Sequence, residues 1–201
     1  AMQFLLAGAQ RGEAGLALLY DTDEEEFLNY ADALSIDLRK YVRSGKITIL
    51  KQSLIRKKVA ALSLPEDLIK KKKIKRVVLD SLTMFSYVQV VDDSSYRSSI
   101  IAFLEKMKGV TLLATAEARS VQIDDVHFLP EDFLFDGVIL LTKVRQEASF
   151  ERVLHVDKMR GQDHSINIYP FNLGTGGMRV YPDQLPFALL GPTGPTSRKN
   201  K

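Results

Sequence analysis

The sequence predicts an α/β fold: a mostly parallel sheet with helices on its faces and an antiparallel β-meander at its C-terminal edge. Three observations predict it. Short, almost wholly apolar runs of the kind buried parallel strands show recur at 16–20, 76–80, 109–117 and 135–141. Segments of helical apolar periodicity separate the earlier runs. Beyond 141 the helical segments stop, and stretches that alternate or pause at Gly and Pro take over.

Residues 1–10 read as an apolar helix that runs into a Gly-punctuated turn. Leu16 to Tyr20 then form the first buried strand. The next helix has Asp23 as its cap, Glu24 to Glu26 at its positive end, and Phe27, Leu28, Ala31 and Leu34 on one face. "KITIL" at 46–50 is a second strand. A helix over 65–73 opens at Pro65 and ends in lysines. "RVVLD" at 76–80 is the third strand, a helix over 95–108 precedes "GVTLLATAE" at 109–117, and "FDGVILL" at 135–141 is a further strand. "RVLHVDKMR", "INIYPF" and "GMRVYP" form the meander, and the Gly/Pro/Ser/Lys-rich tail from 188 is expected to be disordered.

At 201 residues the chain suffices for one sizeable α/β domain, expected over 1–187. Its apolar fraction of 45% and charged fraction of 26% are ordinary globular values. No apolar run approaches the roughly 20 residues of a bilayer span, and the first ten residues lack the basic flank and cleavage site of a signal peptide. A soluble, cytoplasmic protein without membrane contact is therefore expected. The absence of cysteine excludes disulfides, thiol catalysis and Cys-based zinc sites. His127, His155 and His164 make no ligand pair at helical spacing, so a metal would be held by oxygen. A net charge of +3 is too small to imply nucleic-acid binding unless the cations cluster on one face.

In parallel sheets chemistry sits at the C-terminal ends of strands, where this sequence places Asp21, Asp80, Ser81 and Glu117. "IKRVVLDSLT" has the form of a Walker B element, a basic lead-in and a buried strand that delivers an acid. An acid fixed there orients a hydrated Mg²⁺ that bridges nucleotide phosphates. Taken alone, the same residues also describe a strand followed by an Asp-Ser turn.

Read in order, "QFLLAGAQRGEAGL", "ADALSIDLRKYVRSGKITIL", "RVVLDSLT", "GVTLLATAEA", "FDGVILL" and "RVLHVDKMRGQDHSINIYPFNLGTGGMRVYP" resemble the KaiC-like branch of the RecA/RadA superfamily of P-loop ATPases, from residue 1 to about 187. The resemblance implies a RecA-like three-layer sandwich in which "AMQFLLAGA" is the helix that follows the glycine-rich, phosphate-cradling Walker A loop. That loop and its strand do not occur in these residues. The alternatives are a fragment cut just after the loop or a protein that has lost its cradle; the missing start methionine favours the fragment, which is expected to bind ATP weakly by itself.

The resemblance carries over residue by residue. It implies that Asp80 is the Walker B acid holding Mg²⁺ through water, with Ser81 its neighbour. "KMRG" resembles the motif that reaches the next subunit's nucleotide, which makes Lys158 and Arg160 trans-acting phosphate contacts and Arg160 an arginine finger. His164 borders the same nucleotide, whereas Gln162 stands where relatives often carry a small hydroxyl residue. Where relatives close the strand with two glutamates, this chain has Asp21 and Thr22, so hydrolysis is expected to be slow or absent. Glu117 occupies the γ-phosphate sensor position, equally readable as a surface acid. Ala33 and Leu34 flank the adenine.

Two basic clusters remain, 55–58 and 70–76. With no interleaved aromatics for base stacking they read as a lysine-rich helix end feeding a strand, and DNA is not the favoured partner. The loops at 87–97 and 118–130 carry Asp92, Asp93, Asp124 and Asp125, which oppose a tight phosphate grip. The leading expectation is an ATP- and Mg²⁺-binding ATPase domain whose sites form between subunits of a homo-oligomeric ring, expected to be a hexamer, acting in signalling or regulation with a regulatory protein as partner. A RadA-like DNA-binding repair ATPase and a nucleotide-sensing scaffold with little hydrolysis are the alternatives.

Overall fold

The computed structural model describes residues 1–51, 63–83, 93–117, 132–146 and 148–186. The expected tail, the cluster at 55–58 and the loop at 118–130 lie outside these residues, as does most of the loop at 87–97. Two compact units are present, residues 1–118 with 174–177, and 119–173 with 178–201.

In the first unit, β1 (Ala14–Leu19) lies between β2 (Ile47–Lys51) and β3 (Ile74–Asp80), and β4 (Thr111–Ala114) extends the sheet beyond β3. All the pairings are parallel, with Ala17 opposite both Ile49 and Val78, and Val78 opposite Leu113. The continuous apolar runs of β1 and β3 follow from burial on both faces: Leu16 to Leu19 and Val77 to Leu79 are all at most 1% exposed.

Side chains alternate across the pleat. Ala17, Leu19 and Val78 therefore meet α1 (Met2–Gln10), α2 (Glu24–Ala33) and the segment 36–38, in a core completed by Leu5, Ala9, Phe27 and Ile47. On the other face α4 (Ser63–Lys72) packs on β3, and α5 (Asp93–Lys106) buries Ile100 and Phe103 completely. α1 lies close to the sheet because Gly8 leaves room for Arg76; a Cβ at Gly8 would sit 2.5 Å from Arg76 Cδ. Arg76 is held there by Glu13 at 2.6 Å, the Phe4 carbonyl at 3.1 Å and the Phe4 ring at 4.8 Å.

Asp23 caps α2 as expected, accepting from the Glu26 N–H at 2.9 Å. The short helix α3 (Arg39–Arg43) was not foreseen. It follows buried Ile36 and Leu38, and Arg39 ties it to α2 through Asp32 at 2.6 Å, Asn29 at 2.7 Å and Glu25 at 3.0 Å. The strand expected over 109–117 is shorter. Gly109 takes φ +87° in the preceding turn, and the pairing with β3 closes with the Thr115 N–H on the Leu79 carbonyl at 3.0 Å.

The second unit is an antiparallel sheet of β5 (Gly137–Gln146), β6 (Ser149–Met159), β7 (Tyr169–Gly174) and β8 (Gly177–Val180), paired in that order. β7 begins later than "INIYPF" suggested. The Asn167 N–H bonds Ser165 Oγ at 3.2 Å, and that hydroxyl meets Tyr169 Oη at 2.6 Å, a local arrangement that replaces ladder bonds. Among the described residues no helix is long and apolar enough to cross a membrane.

Candidate functional site

The chain leaves β1 to build β2 on one side and returns to build β3 on the other, so the sheet has a topological switch point between β1 and β3. Ligands of open parallel sheets bind in the crevice outside the strand ends at such a point. Asp21 follows β1 there, and Asp80 terminates β3. Their strands are locked together by the Tyr20 N–H on the Asp80 carbonyl at 2.9 Å, and Ser81 Oγ reaches Asp21 Oδ2 at 3.5 Å, the outer limit of a hydrogen bond. Ser81 is a buried polar residue, 8% exposed, and the Asp80–Ser81 peptide is cis.

Thr115 was missed by sequence reading. Its hydroxyl donates to Asp80 Oδ1 at 2.5 Å, while the carbonyl of Thr115 accepts from the Leu82 N–H at 2.7 Å. A short O–H···O⁻ bond of this kind holds a carboxylate in one orientation. Asp80 Oδ2 has no hydrogen-bond donor among the described residues. The signal was a hydroxyl residue directly after the apolar run of β4, one place beyond the strand proper. Glu117 lies on the same rim, exposed, with its N–H on Thr83 Oγ1 at 2.9 Å.

The N-terminal end of α1 faces this rim. Burial pushes the Tyr20 phenol up to about 12. The folded chain thus keeps a proton there that the unfolded chain loses above about pH 10. Stability contributed by neutral Tyr20 is present below that pH and declines as pH rises toward 12, by no more than about 2 kcal/mol after allowance for partial exposure. Urea unfolding of Tyr20→Phe and the parent at pH 9 and pH 11 is expected to show the parent losing more stability; equal losses would contradict this.

Thr22 does not join Asp21. Its hydroxyl donates to Glu26 Oε2 at 2.7 Å, and Tyr30 Oη donates to Oε1 at 2.6 Å. These two bonds, Tyr30 first, keep the Glu26 carboxyl below its ordinary range. Ala33 and Leu34 sit at the opposite end of α2, one helix length of roughly 15 Å from its start. There the Leu34 carbonyl accepts from the Gly176 N–H at 2.6 Å.

In the second unit Lys158, near the end of β6, and Arg160, in the turn after it, reach the same segment. Lys158 Nζ donates to the Asp132 carbonyl at 2.7 Å. Arg160 uses its guanidinium on the Phe133 carbonyl and Asp136 Oδ1, each at 3.2 Å, and its N–H on the Asp136 carbonyl at 2.6 Å. The 132–136 segment is thus a cradle for both cations that "FLFDG" did not disclose. His164 lies five residues past β6, its N–H on Asp163 Oδ1 at 2.9 Å.

The described residues contain no group of three or more His, Asp or Glu able to cage a metal. Mg²⁺ keeps most of its waters and takes one or two carboxylates together with substrate phosphates. Asp80 Oδ2 and the hydroxyl of the next residue, Ser81, are oxygen donors of that kind.

A family model described as "ATPase: KaiC" matches residues 1–185. The chain is 25% identical over 186 residues to the circadian clock protein KaiC3 of Synechocystis sp., 86% of this chain and 36% of that protein. It is 27% identical over 194 residues to the circadian clock oscillator protein KaiC of Synechococcus elongatus, covering 90% and 37%. The chain thus spans little more than a third of these curated relatives. The crystal structure of the KaiC-like protein PH0186 from Pyrococcus horikoshii OT3 superposes with a TM-score of 0.77 at 27% identity, covering 90% of this chain and 82% of that one.

Proposed function

The chain belongs to the KaiC family of ATPases, and on that premise we propose that it is an ATP- and Mg²⁺-binding domain that works between subunits of a ring in signalling or regulation. The carrying observation is Asp80 at the switch point, with one oxygen held by Thr115 and the other without a donor among the described residues. Asp80 and Ser81 would hold the hydrated metal, whose charge neutralises the phosphates during transfer. Asp21 would orient the attacking water, and Glu117 would register the terminal phosphate. Lys158 and Arg160, presented together by the 132–136 cradle, are suited to a neighbouring subunit's nucleotide. His164 would border that nucleotide and Ala33 and Leu34 the base.

The engagement of Thr22 by Glu26 favours a second reading, a nucleotide sensor with little turnover, because Asp21 is left as the one acid at the end of β1. Both readings are tested on the full-length protein. Under the first, turnover depends on Mg²⁺, and Arg160→Ala lowers it by about 10³-fold, as for other trans-acting arginines, without loss of assembly. Unchanged turnover in Arg160→Ala would remove the trans role. Mg²⁺-dependent binding with negligible turnover in the parent would establish the sensor, and no nucleotide binding at all would refute both.

A further inference from the structure

We propose that the end of the first unit formed by the N-terminal ends of its four strands is a docking surface for the phosphate backbone of duplex nucleic acid. Each strand is entered through a short turn from a helix: α1 into β1, α3 into β2, α4 into β3 and α5 into β4. Because the strands are parallel, with Gly15 beside Ile47 and Arg76 beside Thr111, all four turns open on one side. The turns and the element ends that flank them, residues 11–13, 43–46, 70–76 and 105–110, hold eleven lysines and arginines against Glu13 and Glu105, in a chain whose whole balance is +3. Both acids are already paired, Glu13 with Arg76 at 2.6 Å and Glu105 with Lys108. Arg11, Lys71, Lys73 and Lys75 are exposed and have no acidic partner among the described residues.

Complementing helix dipoles does not account for the whole cluster, since that effect fades beyond the last helical turn. Lys73 lies past α4 with φ +52°, Lys75 is in β3, and Lys46 directly precedes β2. Between the entries of β3 and β4 the surface opens into a shallow cleft of roughly 450 Å³, lined by Lys75, Arg76, Glu13 and the 109–111 segment.

The composition selects the ligand. Protein interfaces have an apolar centre and are poor in lysine. The exposed large apolar residues described in this unit are Tyr30 and Ile101, neither of them in these turns. The lack of aromatics also disfavours single strands, which are held by base stacking. A lysine-rich, apolar-free face matches backbone phosphates, which require only positive charge. Four strands span about 14 Å, and a helix layer on each face widens the end to roughly 30 Å.

The test is fluorescence anisotropy of a labelled 20-base-pair DNA duplex with the full-length protein, without nucleotide, from about 50 to 300 mM KCl, so that it does not depend on the ATPase reading. Sequence-independent binding is expected, with log K falling against log[KCl] with a slope of about −4 to −6. Arg11→Glu, Lys71→Glu and Lys75→Glu combined should weaken it at least about 100-fold and reduce the slope by about 3. The same number of reversals in the second unit, Lys143→Glu, Arg152→Glu and Arg179→Glu, should change it by no more than about 3-fold. All six positions are exposed, and the milder Lys71→Gln with Lys75→Gln should lower the slope by about 2. No duplex binding at 50 mM KCl, equal losses in the two triple variants, or displacement of the duplex by polyglutamate at equal charge would each overturn the proposal, the last by making an acidic protein the partner.

Discussion

Asp80→Asn is expected to lower Mg²⁺-dependent ATP turnover of the full-length protein by at least about 100-fold, close to 3 kcal/mol of transition-state stabilisation. The substitution is nearly isosteric. Its amide oxygen can still accept the Thr115 hydroxyl, so the lock between β3 and β4 persists. What disappears is the negative charge that holds a hydrated cation. The discriminating pair of measurements is turnover across a Mg²⁺ titration and thermal melting. Turnover should collapse and the melting temperature stay within a few degrees. Turnover within about 3-fold of the parent would show that the metal-side acid is elsewhere.

Phe27→Ala is expected to cost about 3–5 kcal/mol of stability, the largest effect of any single truncation considered. Phe27 is 1% exposed on the inner face of α2, in the core that also contains Leu5, Leu19, Ile36 and Ile47. Removing the ring forfeits its transfer energy and leaves a cavity that the rigid strands β1 and β2 cannot close. Urea unfolding monitored by far-UV circular dichroism would measure it. A loss below about 1.5 kcal/mol would show that the helix can collapse onto the sheet.

Much of the fold was legible because its signals are local. The apolar runs of β1 and β3, the Asp23 cap and the lysine-rich end of α4 each declare an element within a few residues. The helix α3 was not legible. Five residues are too few for helical periodicity, and what holds Arg39 is a set of acids and an amide seven to fourteen positions away on α2. The boundary of β7 moved for a related reason, since Ser165 finds partners that compete with the ladder.

The candidate site shows the same division. Asp21, Asp80 and Ser81 could be selected as polar residues closing apolar runs, and the structure brings them together. Thr115, Thr83 and the 132–136 cradle could not, because each matters only through a neighbour some 25 to 35 positions distant. Glu26 looked like simple charge at a helix start. Its carboxylate also takes the hydroxyl of Thr22, a contact four positions along the chain that the sequence did not disclose.

By itself the sequence determined the order of the strands and of the helices other than α3, the acids that close β1 and β3 and, through its ordered motifs, the family. Those properties reside in short stretches whose periodicity and end residues are independent of distant chain. Only the tertiary structure decided that β1 and β3 are neighbours across a switch point, that Thr115 orients Asp80, and that four separate basic turns share one surface. Parallel pairing is the physical reason: it gathers like ends of strands remote in the chain, so acids collect at one end of the sheet and cations at the other. A cluster at 70–76 that looked like an ordinary helix terminus thereby becomes part of a continuous charged face.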